Sequence, residues 1–545
     1  MYYVRKRFPQ LLLISSFIFI FLLSFQAVID TDYFWHLRVG EYILKNLEVP
    51  KHDLFSFSMP NYAYVYHEWG SELLIALFYR LGGNFGVSFL YAVIFTLSVF
   101  VLYKTAETIT KRKPFLPLFI LFTPVAYIVA GGKLRVFGFL LLTLVHFLFC
   151  EFIYKRPRAK SPRPDCRRGR YCSLSLHELA RKLFMLLSLA SMYSRIYPRT
   201  NSPRCSASEY KKSRLIWLVP SIFIFWVNLH GSFVLGLLVF WILSVLIFFA
   251  RKDLFVLKTL VILGVFSTPA TLLNPYFLKA WNQIFLISTN FSNLKYINLD
   301  WASLLAREGK GWILAGIAFL LLASLFFIKN KVEVWQKLLL IVFLLLSIKT
   351  ARFAVALFVF LLIPLNQLVL ELKERVKLGK IETYFLGFVA LLIFLQLSLG
   401  VAVNLISVKF AYSSQENYAN FLRTKFPKKY SYMNWPYKAG LIVTNDLSDK
   451  KVLNEANWGS LLLMLDPDFK VFYYGAMDNF IKDGKPFAVE YLSLVNAEAG
   501  WREKLEKYAI DAVFLPPVFS LVDQLKKDGW SNYYEDKQAV ILIKN

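Results

Sequence analysis

The sequence predicts an all-α polytopic membrane domain of about eleven transmembrane helices, N-terminus inside and C-terminus outside, followed by a small C-terminal α/β domain. Three observations predict it. Apolar runs of about twenty residues recur along the chain, the length that crosses a hydrocarbon layer of about 30 Å at 1.5 Å per residue. Lys and Arg gather in alternate loops between those runs, as the positive-inside rule requires. After Val408 the runs stop and ordinary charge density begins.

The expected spans are Leu11–Ile29, Val87–Tyr103, Phe115–Ala130, Val136–Tyr154, Leu215–Val227, Phe233–Phe249, Leu254–Leu273, Trp312–Ile328, Leu338–Ile348, Phe353–Leu370 and Tyr384–Val408. Helices are expected because they satisfy their own backbone groups in lipid. The first run follows a basic start, MYYVRKR, as a signal peptide would. No small-residue cleavage pattern follows Ile29, so the reading is an uncleaved helix. The basic loops Lys104–Lys113, Lys155–Arg214, Arg251-Lys252, Lys329–Lys337 and the stretch from Glu371 then lie inside. The loops Asp30–Trp69, Gly131–Arg135, Asn228–Ser232, Asn274–Gly311 and Lys349–Arg352 lie outside with the tail. The formal charge of +27 is thus assigned to cytoplasmic loops and not to nucleic-acid binding.

Residues 155–214 break this pattern. They are rich in Arg, Pro and Ser and read as a disordered basic cytoplasmic insertion attracted to anionic lipid. Within it, His177–Tyr197 has the spacing of an amphipathic surface helix. Three of the four cysteines, Cys166, Cys172 and Cys205, fall there, and no Cys/His metal spacing occurs. Residues 1–408 are read as the membrane domain and 409–545 as the extracytoplasmic one. In the tail, strands are expected at Leu441–Thr444, Lys470–Tyr474, Ala512–Leu515 and Ala539–Ile543, with a helix at Leu521–Asp528.

The polar groups concentrate in the first outer loop. Asp30 and Asp32 stand two residues apart at a span end, a pair able to hold a divalent cation or accept a proton; a solvated helix cap is the plainer alternative. His36, Arg38 and Glu41 follow within two turns. Arg38 and Glu41 also suit a simple i,i+3 ion pair. His67 and Glu68 close the loop. Asn228 and His230, in WVNLHGS, interrupt apolar sequence at a depth where polar residues usually mark a site, or they cap a tight turn. Arg135 and Arg352, at outer span ends, suit phosphate oxygens or lipid headgroups. Trp458, in NWGS, suits a substrate-facing loop or a core.

The run DTDYFWHLR beginning at Asp30, then VPKHDLFSFSMP and YHEW, resembles the first outer loop of bacterial membrane proteins in the GT-C glycosyltransferase superfamily. It is also distantly similar to that of the oligosaccharyltransferase catalytic subunit. WVNLHGSF, LLNPYF and NEANWGSLL resemble the bacterial group too. The resemblance implies a multi-pass enzyme of the inner (plasma) membrane whose active face is extracytoplasmic. It implies transfer of a sugar from a polyprenyl-phosphate-linked donor to a glycan or protein acceptor. Asp30 or Asp32 would then be the catalytic base or a ligand of a divalent cation, Mg or Mn. The WWDYG motif of oligosaccharyltransferase is absent, and Trp458-Gly459 is the nearest remnant. The alternative function is a non-enzymatic transporter of lipid-linked glycan, or an envelope-assembly partner, which needs phosphate-binding arginines but no base.

Overall fold

The computed structural model describes residues 2–130, 133–154, 212–252, 254–289, 303–306, 310–327, 331–375, 380–423 and 434–545. It forms two compact units, Met1–Phe147 with Leu218–Asn545, and Leu148–Trp217. The described part of the second is the end of one helix and a 3₁₀ turn, Lys212–Leu218, that leads out of it. The amphipathic helix expected at His177–Tyr197 lies outside the described residues, as does the basic insertion up to residue 211.

Each expected span overlaps a helix. In order these are α1 (Tyr2–Ser24), α3 (Trp69–Thr110), α4 (Leu116–Ala130), α5 (Arg135–Tyr154), α6 (Val219–Leu229), α7 (Phe233–Arg251), α8 (Leu254–Ala270), α10 (Lys310–Phe327), α11 (Val334–Lys349), α12 (Ala354–Arg375) and α13 (Lys380–Ala411). Among the described residues, five stretches are long and apolar enough to cross a membrane: Trp69–Thr110, Arg135–Tyr154, Phe233–Ala250, Ala351–Arg375 and Gly387–Ala411. Between α1 and α3 lies α2 (Tyr33–Asn46), and α9 (Leu278–Thr289) follows α8. Helix α3 breaks at Gly82-Gly83, where Gly83 has φ 56° and ψ −147°. That conformation is open to glycine and costly for any residue with a Cβ.

The tail adds helices α14 (Gln415–Arg423), α15 (Tyr437–Asp446), α16 (Gly459–Leu465), α17 (Phe487–Val495), α18 (Trp501–Lys507) and α19 (Ser520–Lys527). Its four-stranded sheet runs β1 (Val452–Asn454), β4 (Ala512–Leu515), β6 (Val540–Ile543), β5 (Ser531–Glu535). β1 pairs parallel with β4, and the remaining pairs are antiparallel. A hairpin, β2 (Ile481–Lys482) and β3 (Lys485–Pro486), stands apart.

Two expected strands are corrected. Leu441–Thr444 is helical, inside α15, because its Gly440 lies against Leu461 and Leu465 of α16 and lets the two helices approach. Lys470–Tyr474 joins no sheet. Val471 instead bridges in parallel to Ser56 of the first loop, with Phe57 N–H donating to Val471 O (3.1 Å) and Val471 N–H donating to Phe55 O (3.0 Å).

That pairing is one stitch in a seam between the first loop and the tail. Tyr474 Oη–H donates to Asp53 Oδ1 (2.5 Å), Ser58 Oγ–H to Phe472 O (2.5 Å) and Lys470 Nζ to Leu54 O (2.8 Å). Tyr62 stacks on Phe480 with centroids 4.3 Å apart. The loop and the tail are therefore packed on the same end of the helices.

Candidate active site

The segment before Asp30 is pinned from two sides. Val28 N–H donates to Tyr412 Oη (2.7 Å), and Tyr418 Oη–H donates to Val28 O (2.8 Å). Asp30 follows, buried, with Lys133 Nζ 3.4 Å from its Oδ1. Asp30 Oδ1 also accepts the backbone N–H of Asp32 (3.4 Å). Asp32 begins α2 and lies beneath the tail, where a Cβ on Gly475 would collide with its Oδ1. Burial and the Asp30 charge push the Asp32 carboxyl above its ordinary value, against the lowering pull of His36 and Lys133. A carboxylate whose proton affinity is raised in this way is better suited to accept a proton near neutrality.

Helix α2 crosses α3 closely at Gly40, where a Cβ would meet the Glu72 carbonyl oxygen and the Ala76 side chain. The crossing brings His36 Nδ1 to 2.9 Å from Glu72 Oε1, both side chains buried. One turn earlier on α3, Glu68 Oε1 lies 3.5 Å from His230 Nε2 and 3.8 Å from His67 Nε2, and accepts the Gly231 N–H (3.3 Å). Burial raises the Glu68 carboxyl, but His230, His67, His36 and the Gly231 N–H outweigh it and bring it down to about 2. His230 is also brought down, to about 4. Burial is the main cause, and Arg352 and Arg135 add to it against the pull of Glu68. The neutral ring accepts the Ser232 N–H at Nδ1 (3.1 Å), which assigns its proton to Nε2, facing Glu68.

The structure thus brings Asp30, Asp32, His36, His67, Glu68 and His230 into one neighbourhood, with Arg135 and Arg352 within electrostatic reach of His230. Arg38 is bound up in packing: its Nε donates to Leu463 O (3.0 Å) and its Nη1 to Glu41 (2.6 Å), tying α2 to α16. Asn228 joins three elements, accepting from Trp69 Nε1 (2.7 Å) and donating to Ile224 O and Leu273 O (2.7 and 2.9 Å). Trp458 stands apart, fully buried in the tail against Phe514. Glu72, Lys133 and Gly475 were not singled out from sequence. Only Glu72 carried a signal, standing one helical turn after Glu68 and so on the same face.

Asp30 and Asp32 are the expected cation ligands. Among the described residues, no three His, Cys, Asp or Glu groups converge closely enough to hold a metal ion. A hard divalent cation takes about six oxygens, whereas this pair supplies two carboxylates and shares them with the Lys133 ammonium. The residues do not by themselves fit a resident cation.

No family model matches the sequence, and no curated protein matches it. Among solved structures, the chain is similar to the Archaeoglobus fulgidus oligosaccharyltransferase in the apo form, at 13% identity and TM-score 0.44, covering 92% of this chain and 69% of that one. The same enzyme tethered with an acceptor peptide containing the NVT sequon gives 12% identity and TM-score 0.46, covering 100% and 75%. ArnT from Cupriavidus metallidurans bound to undecaprenyl phosphate gives 11% identity and TM-score 0.44, covering 98% and 97%. These similar structures are GT-C glycosyltransferases.

Proposed function

We propose that the chain is an integral-membrane glycosyltransferase that moves a sugar from a polyprenyl-phosphate-linked donor to an extracytoplasmic glycan or protein acceptor. One observation carries the reading: an aspartate pair from the first loop, overlain at Asp32 by Gly475 of the tail, stands beside Lys133 in the neighbourhood of His230, on which Arg135 and Arg352 act. The polyprenyl chain lies among the helices, and its phosphate-sugar head reaches this cluster. The acceptor hydroxyl attacks the anomeric carbon and gives its proton to Asp32. The bond from that carbon to the phosphate oxygen breaks, and the phosphate leaves with the electron pair. Arg135 and Arg352 receive the developing negative charge. Lys133 holds Asp30 at the edge of the same site.

Purified protein in nanodiscs, supplied with a panel of radiolabelled polyprenyl-linked sugars, should release polyprenyl phosphate and label an acceptor. Movement of intact lipid-linked sugar across the bilayer without bond cleavage would establish the transporter instead. Changing Arg135 or Arg352 to Gln should weaken undecaprenyl phosphate binding by about tenfold or more, the worth of one charge-assisted contact. Titration by native mass spectrometry checks this, and unchanged affinity in both variants would remove the arginines from the phosphate site.

A further inference from the structure

We infer that Glu72 is a positioning residue of this site: its Oε1 holds the His36 ring by the proton on Nδ1, fixing that ring one helical turn from Asp32. The role of that ring rests on the glycosyl-transfer reading; the geometry does not.

The pair is built rather than incidental. The His36 and Glu72 side chains are 6% and 1% exposed, and their closest atoms are 2.9 Å apart. At that depth neither partner is solvated well enough to stand alone, so removing one strands the other. The other Glu72 oxygen, Oε2, is buried with no hydrogen-bond partner, so the carboxylate is committed to His36. The approach depends on Gly40, one turn after His36, lying against the Glu72 backbone, and on Ala76, one turn after Glu72. The Trp35 ring lies against His36, with centroids 3.5 Å apart. The charged groups facing His36 are Glu72 and Glu68 from α3 and Asp32 on its own helix. Burial works against the imidazolium, and Glu72 is the strongest of the groups that restore it, leaving His36 above its ordinary value.

The consequence for Asp32 is direct. When protonated, the His36 ring favours the ionised form of Asp32 and offsets part of the effect of burial and of Asp30. Glu72 therefore acts on the base through His36 without touching substrate. The sign for stability follows. A histidine raised in the folded state stabilises the fold below its unfolded value, and this contribution fades as pH rises through the folded value.

The chain has six histidines, few enough for ¹⁵N-imidazole NMR of the full-length protein in nanodiscs, with His36 assigned by His36→Gln. In the wild type, His36 should titrate above the ordinary histidine value, with its proton on Nδ1 when neutral. In Glu72→Gln its proton affinity should fall by about tenfold or more. A wild-type His36 that titrates at or below the ordinary value, or one that Glu72→Gln leaves unmoved, overturns the inference. If Glu72→Gln does not fold, the wild-type titration and the Glu72→Asp variant, expected to retain most of the shift, decide the matter. The spectrum is read without substrate, so failure of the transfer reading leaves it intact. Where transfer is observed, Glu72→Gln should lower kcat and displace the pH profile, with the donor KM changed less than about twofold.

Discussion

Replacing Asp30 and Asp32 together by Asn is expected to reduce sugar transfer by about a thousandfold or more, with membrane insertion intact. The magnitude follows from the loss of a positioned base, which alone is worth about 10²–10⁴. The single variants should differ in kind. Asp32→Asn removes the proton acceptor and should show most of the loss at every pH. Asp30→Asn leaves Asp32 but removes the neighbouring negative charge that raises it. Asp32 then loses its proton at lower pH, so the acidic, rising limb of the rate profile should move to lower pH. Lys133, 3.4 Å from Asp30, keeps its lowering pull on Asp32 and acts in the same direction. Rates measured across pH for the three variants, beside an insertion control, check this. Full activity in the double variant would mean that the loop carboxylates take no part in the chemistry.

How much of this was legible beforehand depended on the range of the interaction. The apolar helices follow from run length, which is local, and every expected span overlaps a helix. Ala512–Leu515 was legible as a strand because four buried apolar residues stand between breaks in the pattern. Leu441–Thr444 has similar β-branched chemistry but became a helix, since what decides it is the contact of Gly440 with α16, twenty residues away. The candidate site divides in the same way. Asp30, Asp32, His36, His67 and Glu68 were visible as a polar cluster within one loop. Glu72 offered only its spacing from Glu68, because it opens an apolar helix and its partner lies thirty-six residues earlier. Arg38 looked available in sequence, yet a carbonyl from residue 463 occupies it. No local pattern reports that the tail folds back over the loop.

The dependence of the site on that fold-back gives the second large effect, at Gly475. This residue opens the turn Gly475–Asn479 and lies over α2, where a methyl group would collide with Asp32 Oδ1 and approach Trp35 Nε1. The turn cannot easily retreat, because the preceding residue is fastened to the first loop by the Tyr474–Asp53 hydrogen bond and lies against Trp35 and Phe55. Gly475→Ala must therefore displace either the carboxylate or the tail. Overpacking of this kind costs about 1–3 kcal/mol, and a misplaced catalytic group costs about a hundredfold in rate. Transfer should fall by that amount while the protein remains folded. Gly484→Ala supplies the comparison. Gly484 has φ 74° in the β2–β3 turn, with nothing within 4 Å of an added Cβ. Alanine there strains the backbone by about 1 kcal/mol but touches nothing in the site. Its Tm should drop by an amount similar to that of Gly475→Ala, with transfer unchanged. Equal losses of activity in the two variants would show that Gly475 acts through general stability and not through the position of Asp32.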